Sequence, residues 1–187
     1  MKSKHNLPKP QKIEITGEKT LKLVGCVYYG NPFHSSDEWS VENEIGILWN
    51  RFFRLYQIHA DILQEEAVNN FAYEVHIEPD DYKKIGKFYV YVGIEAKKME
   101  KMPIEMFCKA LPTTKYAVFT FKGEDMFKAC EYIWDHWLPR SDYDEAHPFM
   151  VQAYDKNRFN GMDNPESEID FYVPVKLKKT KKMKKYS

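Results

Sequence analysis

A phenol next to a carboxylate on an extended strand can hold a cation, orient a polar ligand or move a proton. This sequence repeats that combination. In residues 87–96 (KFYVYVGIEA), strand alternation puts Phe88, Val90, Val92 and Ile94 on one side and Tyr89, Tyr91, Gly93 and Glu95 on the other. In residues 168–175 (EIDFYVPV), Ile169, Phe171, Val173 and Val175 share one side, and Glu168, Asp170 and Tyr172 share the other. Gln152 and Tyr154 fall together in residues 149–154. The apolar sides are packing surfaces. The opposite sides have phenols, carboxylates and an amide in common. Converging on one cleft, they suit a flat, hydrophobic and often cationic ligand. A carboxylate there attracts a cation directly or at longer range. Desolvation that raises its pKa also fits it for acid–base work. An antiparallel sheet with one solvated face shows similar alternation, and Tyr is a good strand former. The reading therefore rests on recurrence across strands from both halves of the chain. The candidate ligand-binding set is Tyr89, Tyr91, Glu95, Trp137, Gln152, Tyr154, Glu168 and Asp170. For a hydrolytic protein, Glu168 and Tyr154 are the catalytic candidates.

Other chemistries find little support. His5, His34, His59, His76, His136 and His147 are scattered and form no metal-ligand set. His34 beside Asp37 reads as loop chemistry. Cys26, Cys108 and Cys130 lack CxxC spacing and are odd in number, so neither a disulfide framework nor a zinc knuckle is expected. Cys130 falls on an apolar helix face, which favours a core position. No nucleophile elbow, phosphate loop or dinucleotide fingerprint occurs. No metal or cofactor is expected.

The elements that must position these groups follow from periodicity. Residues 21–29 (LKLVGCVYY) read as a strand ended by Gly30, Asn31 and Pro32. Ser40 is a candidate cap, and Ile45, Leu48, Trp49, Phe52 and Leu55 recur at helical spacing to about residue 63. Residues 71–78 and 87–96 are strands around the turn at Pro79. A connector over 98–114 follows. Then comes a strand at 115–121 and a helix carrying Phe127, Cys130, Ile133, Trp134 and Trp137, capped at Asp125 and stopped at Pro139. Trp134 and Trp137 take core spacing, with the edge of one indole able to line a cleft. Strands at 149–154 and 168–175 complete the chain. The order βαββ thus repeats at roughly ninety-residue spacing. The expected class is α+β, with duplicated βαββ units, antiparallel sheet, one helix per half and a ligand cleft between the halves. The boundaries are a flexible 1–12, one domain over 13–176 (halves at 20–97 and 115–176), and a basic, disordered tail over 177–187.

The 187 residues carry no formal net charge, 43% hydrophobic and 16% aromatic content, a balance that fits one folded domain rather than a nucleic-acid binder. The one dense basic run, Lys178, Lys179, Lys181, Lys182, Lys184 and Lys185, reads as a solvated tail capable of nonspecific contacts. No signal-like or membrane-spanning apolar stretch is seen, so the expected location is cytoplasmic with no membrane partner. No helix-turn-helix is read before the first strand, and no sequence-specific nucleic acid is expected.

Several strings together resemble the GyrI-like effector-binding domains, which also follow the DNA-binding part of AraC-type and MerR-type drug-responsive regulators. They are KYAVFTFKG (115–123), WLPRSDY (137–143), QAYD (152–155) and EIDFYVPV (168–175), with WNRFFR (49–54) and YVGIEA (91–96) in the first half. The resemblance spans roughly residues 20–176. It implies the duplicated βαββ fold and binding of diverse hydrophobic, often cationic compounds. Some stand-alone members of that family resist toxins, and some hydrolyse cyclopropane-bearing alkylating agents with a pocket acid. By resemblance, Glu168 matches the acid near the start of the last strand, Tyr154 the Tyr of a Phe-Glu-x-Tyr string, and Trp137 the Trp of WLP. Gln152 stands where that string has Glu, which transfers cation recognition to Glu168 or Glu95. The expected function is a stand-alone binding protein for hydrophobic, often cationic or aromatic small molecules. Alternatives are a hydrolase of reactive cyclopropane compounds and a gyrase-type interaction inhibitor.

Overall fold

The computed structural model describes residues 7–33 and 43–179. Ser40, His34, Asp37 and most of the basic tail lie outside the described residues. Among the described residues, nine strands form one antiparallel sheet: β1 (Lys12–Ile15), β2 (Lys22–Gly30), β3 (Phe71–Ile77), β4 (Phe88–Glu95), β5 (Phe107–Ala110), β6 (Lys115–Lys122), β7 (Tyr143–Glu145), β8 (Phe149–Asp155) and β9 (Glu168–Leu177). Their order is β1-β6-β9-β8-β3-β4-β2-β5, with β7 on β9. The two βαββ halves therefore share a sheet, joined where β3 pairs with β8. The fold is α+β, as the periodicity indicates.

Helix α1 (Glu44–Ile58) forms because Ile45, Leu48, Phe52 and Leu55 make one apolar stripe, and all four are buried. Each buried side chain of this kind contributes about 1.5–3 kcal/mol. Asn43 caps it, its side chain accepting from the Gly46 amide at 2.9 Å. The helical pattern runs on past residue 58, but the chain turns at His59 into a separate α2 (Ala60–Glu66). The short α3 (Tyr82–Ile85) fills the β3–β4 connection and ends at Gly86, whose φ of 65° suits glycine.

The second-half helix, over residues 123–140, departs from a regular α-helix. It opens as a 3₁₀ segment (Gly123–Lys128), passes through one α turn (Ala129–Glu131) and widens into a π segment (Tyr132–Trp137). Each change of residues per turn rotates the buried stripe. Met126, Ala129 and Ile133 are buried, while Phe127 and Cys130 are exposed. This corrects the core placement of Cys130. Asp125 makes no side-chain cap.

Three additional strands come from segments with weak periodicity. β5 lies in the connector, β7 follows the WLP string, and β1 crosses to pair with β6 of the second half. All three are edge pairings of four residues or fewer, so tertiary contact decides them.

Candidate functional site

The register separates the two faces of the sheet. One row runs Phe119, Phe171, Gln152, Glu74, Val92, Cys26, each residue paired with the next across neighbouring strands. This is the helix face. At one end α1 covers a cluster of Val24, Cys26, Val90, Val92 and Ile94. At the other end the second-half helix covers Phe119, Phe171 and Val173. The centre, where β3 meets β8, carries Glu74 opposite Gln152.

Above that centre lies a cavity of about 1010 Å³. The first half lines it with Trp49, Phe52, Phe53 and Tyr56 of α1 and with Ala72 and Glu74 of β3; the second half adds Tyr154, Lys156, Phe159 and Met162. The rings form a continuous wall. Trp49 stacks on Phe53 with centroids 5.4 Å apart and meets Tyr154 edge-on at 5.4 Å, and Tyr154 meets Phe159 at 4.9 Å. Helical spacing puts Trp49, Phe52, Phe53 and Tyr56 on adjoining positions of α1.

Glu74 is 1% exposed. Its Oε2 accepts from the Trp49 indole at 2.6 Å, and its Oε1 lies 2.7 Å from His76 Nε2. Across the strand boundary, Gln152 Oε1 accepts from the Tyr154 hydroxyl at 2.9 Å. Burial, and after it the Glu74 charge, push the Tyr154 phenol well above its usual range, so it remains a donor at neutral pH. The centre of the cavity is a single carboxylate among rings, with an uncharged amide beside it. Among the described residues, no three His, Cys, Asp or Glu side chains group to hold a metal.

Of the residues singled out in the sequence, Tyr154 lines this cavity, and buried Gln152 hydrogen-bonds to it from the paired position across from Glu74. The others lie elsewhere. Trp137 packs edge-on against Phe119 at 4.9 Å and stacks on Tyr143 in the second-half core. Tyr89, Tyr91, Glu95, Glu168 and Asp170 occupy the opposite face. There Tyr91 is buried, its hydroxyl donating to the Phe107 carbonyl. Tyr89 is 40% exposed and packs on Tyr29 at 4.5 Å. Glu95 accepts from Tyr73 and Asn69 at 3.2 and 3.3 Å. Glu168 and Asp170 both pair with Arg158, at 3.0 and 2.5 Å, and Asp170 also accepts from Thr120 at 2.6 Å. Glu95 and Glu168 sit on strands three positions apart in the sheet order. They do not meet at one cavity.

That opposite face is filled. Leu21, Leu23, Tyr73, Val75, Tyr91, Leu111, Tyr116, Val118, Val151 and Ala153 form one buried cluster. The segments that close it also bind to each other. Lys19 bridges to Thr114, the Leu111 amide donates to the Leu21 carbonyl at 2.9 Å, and Thr20 and Thr113 share a 2.5 Å hydroxyl bond. β2 and β4 approach closely at the Gly25–Gly93 pair, where a Cβ on either glycine would meet the neighbouring backbone.

The residues that sequence reasoning missed are Glu74, His76, Trp49 and Phe53. The available signal was in residues 71–78 (FAYEVHIE), where alternation puts Ala72, Glu74 and His76 on one side. A charged residue in mid-strand between Tyr73 and Val75 marks a polar group facing into structure.

The family described as Cass2, integron-associated effector-binding protein, matches residues 14–175. The transcriptional regulator BrlR of Pseudomonas aeruginosa is 26% identical over 163 residues, covering 86% of this chain and 54% of the relative. The chain thus spans about half the length of that curated relative. Among solved structures, SAV2435 bound to tetraphenylphosphonium superposes with a TM-score of 0.64 at 16% identity, over 89% of this chain and 94% of the other. An integron cassette protein from Vibrio cholerae superposes with a TM-score of 0.56 at 15% identity, over 89% and 97% of the two chains. At these identities the superpositions establish the fold. No helix among the described residues is long and apolar enough to cross a membrane.

Proposed function

The chain belongs to the Cass2 family of integron-associated effector-binding proteins, with a GyrI-like fold, and from that premise we propose that it binds hydrophobic cations in the cavity between α1, β3 and β8. The observation that carries the reading is a buried carboxylate, Glu74, at the centre of a cavity walled by Trp49, Phe53, Tyr154 and Phe159. A cation held about 6 Å from that charge, at an effective dielectric of about 20, gains about 3 kcal/mol, roughly a hundredfold in affinity. The aromatic faces add cation–π attraction and apolar contact. The volume accommodates a ligand of several rings. Tetraphenylphosphonium, the molecule bound to the structural relative, has the required shape and charge.

Gln152 leaves the centre of the cavity with one acid rather than two. This favours a monovalent ligand, because a second positive charge would be desolvated without a counter-charge. In this reading Tyr154 keeps its expected place in the wall, Gln152 supports it by a hydrogen bond instead of meeting the ligand, and Glu74 replaces Glu95 and Glu168 as the acid.

Calorimetric titration with tetraphenylphosphonium tests the proposal. The expected result is saturable binding that weakens about 30- to 100-fold in Glu74→Gln. Binding unchanged in Glu74→Gln, or no binding at all, refutes it.

A further inference from the structure

Glu74 supplies charge to the cavity, but both of its carboxylate oxygens are already engaged by protein groups and little of its surface is left to a ligand's donors. Trp49 Nε1 occupies Oε2 at 2.6 Å, His76 Nε2 engages Oε1 at 2.7 Å, and the residue has 1% of its surface exposed. The neighbouring amide is committed as well, since Gln152 Oε1 accepts from Tyr154 at 2.9 Å and the residue is 4% exposed. Of the other amides in the lining, Asn43 and Asn69 accept from the Gly46 and Phe71 backbone amides, and Asn50, Gln64 and Asn70 are exposed to water.

Consider two cations of equal charge entering this space. A primary ammonium or guanidinium gives up hydrogen bonds to water and needs acceptors in return; donors left unmet carry the full desolvation penalty. A quaternary ammonium, phosphonium or charge-delocalised dye has no N–H to satisfy. It needs only the field of the carboxylate and the faces of the rings. Trp49 serves both requirements. Its N–H already engages Oε2, and its ring forms part of the cavity wall.

We infer that the cavity selects among hydrophobic cations by their count of hydrogen-bond donors, admitting donor-free cations and rejecting amines of equal size, and that Trp49 is the residue that enforces the selection. The inference rests on the cation-binding reading above and narrows its ligand class.

A matched pair of probes tests it: 3,3,3-triphenylpropyl-trimethylammonium and 3,3,3-triphenylpropylammonium, titrated calorimetrically into the full chain, wild type and Trp49→Phe. The wild type is expected to prefer the quaternary probe at least about tenfold. Intrinsic hydration of the two probes is the same for both proteins, so the change in their ratio isolates Trp49. In Trp49→Phe the Oε2 acceptor opens, and the preference is expected to fall about fivefold or more. Should that variant fail to fold by its thermal melt, His76→Ala opens Oε1 and carries the same expectation. Equal wild-type affinity for the two probes, or a ratio that the substitution does not move, overturns the inference while leaving cation binding intact. If neither probe nor tetraphenylphosphonium binds, the cation reading fails and takes the inference with it.

Discussion

On the helix face of the sheet, Glu74 sits among Trp49, Tyr154 and Phe159 beneath an open cavity. On the opposite face, Glu95 sits near Tyr73, Tyr116 and Tyr172 with no comparable space around it. The inventories are nearly the same: carboxylates, phenols and a nearby cation, Lys156 on one side and Lys19 on the other. What differs is how the sheet is covered. Two helices pack over the flanks of the helix face and leave its centre uncovered. The closed face is plugged by Leu21 and Leu111, from segments that pair with each other across it. Its carboxylates are spent internally, while the buried Tyr116 hydroxyl has no hydrogen-bond partner among the described residues. Arg158 gathers Asp155, Glu168 and Asp170, and the Lys19 ammonium lies 4.7 Å from the Tyr172 ring centroid. The same kinds of side chain line an open cavity where the helices fall short and pack into a core where the segments around Leu21 and Leu111 close over them.

The comparison is tested most severely by truncating a ring on the closed face. Tyr73→Ala is expected to cost about 3–5 kcal/mol, because a fully buried aromatic is removed from a packed cluster. Urea unfolding measures it, and a loss under about 1 kcal/mol would mean the closed face is not packed as described.

A second contrast is read in alkaline solution. Desolvation, reinforced by Asp170 and Glu95, raises the Tyr172 phenol to about 12, and burial raises Tyr73, Tyr91 and Tyr116 in the same direction. In the unfolded chain these phenols lose their protons near pH 10. Between the unfolded and folded values the native state holds protons that the unfolded state has released, so stability falls as pH rises. The stabilisation is complete below about pH 10 and is lost progressively from there through about pH 12. Unfolding midpoints from pH 8 to 11 should show the decline, and Tyr172→Phe should make it shallower.

The smallest expected effect lies on the open face. Phe53 is 51% exposed, so Phe53→Ala should change stability by less than about 0.5–1 kcal/mol. It should weaken tetraphenylphosphonium about 3- to 10-fold by removing one wall of the cavity. A large stability loss without a change in affinity would place Phe53 in the core rather than at the site.

Strand alternation alone identified the packing sides of β4 and β9 and the helical stripe of α1. It also put Gln152 and Tyr154 on the same side. These features are legible because side-chain direction in a strand or helix depends only on local backbone geometry. Alternation does not say which sides of different strands share a face. The polar sides of β4 and β9 resemble that of β8 in composition, yet β8 turns Gln152 and Tyr154 to the helix face, while β4 and β9 turn Glu95 and Asp170 to the closed one. Cross-strand register settles that, and register is fixed by pairing between residues far apart in the chain. The regular helix expected near residue 130 is replaced by 3₁₀, α and π segments, a change of winding that apolar periodicity does not announce.

The sequence by itself determined an α+β protein of two βαββ halves, rich in phenols and acids on defined sides of its strands. Only the tertiary structure decided which acid serves the cavity. Glu74 does because β3 and β8 meet at the centre of the helix face, between the flanks covered by the two helices, with Trp49 of α1 reaching in from one side. Glu95, Glu168 and Asp170 do not because they lie on the closed face, where Tyr73 and Asn69 hold the first and Arg158 the other two. Glu74 is held by Trp49 and His76 yet keeps open space beside it, so its charge faces a cavity rather than a packed core.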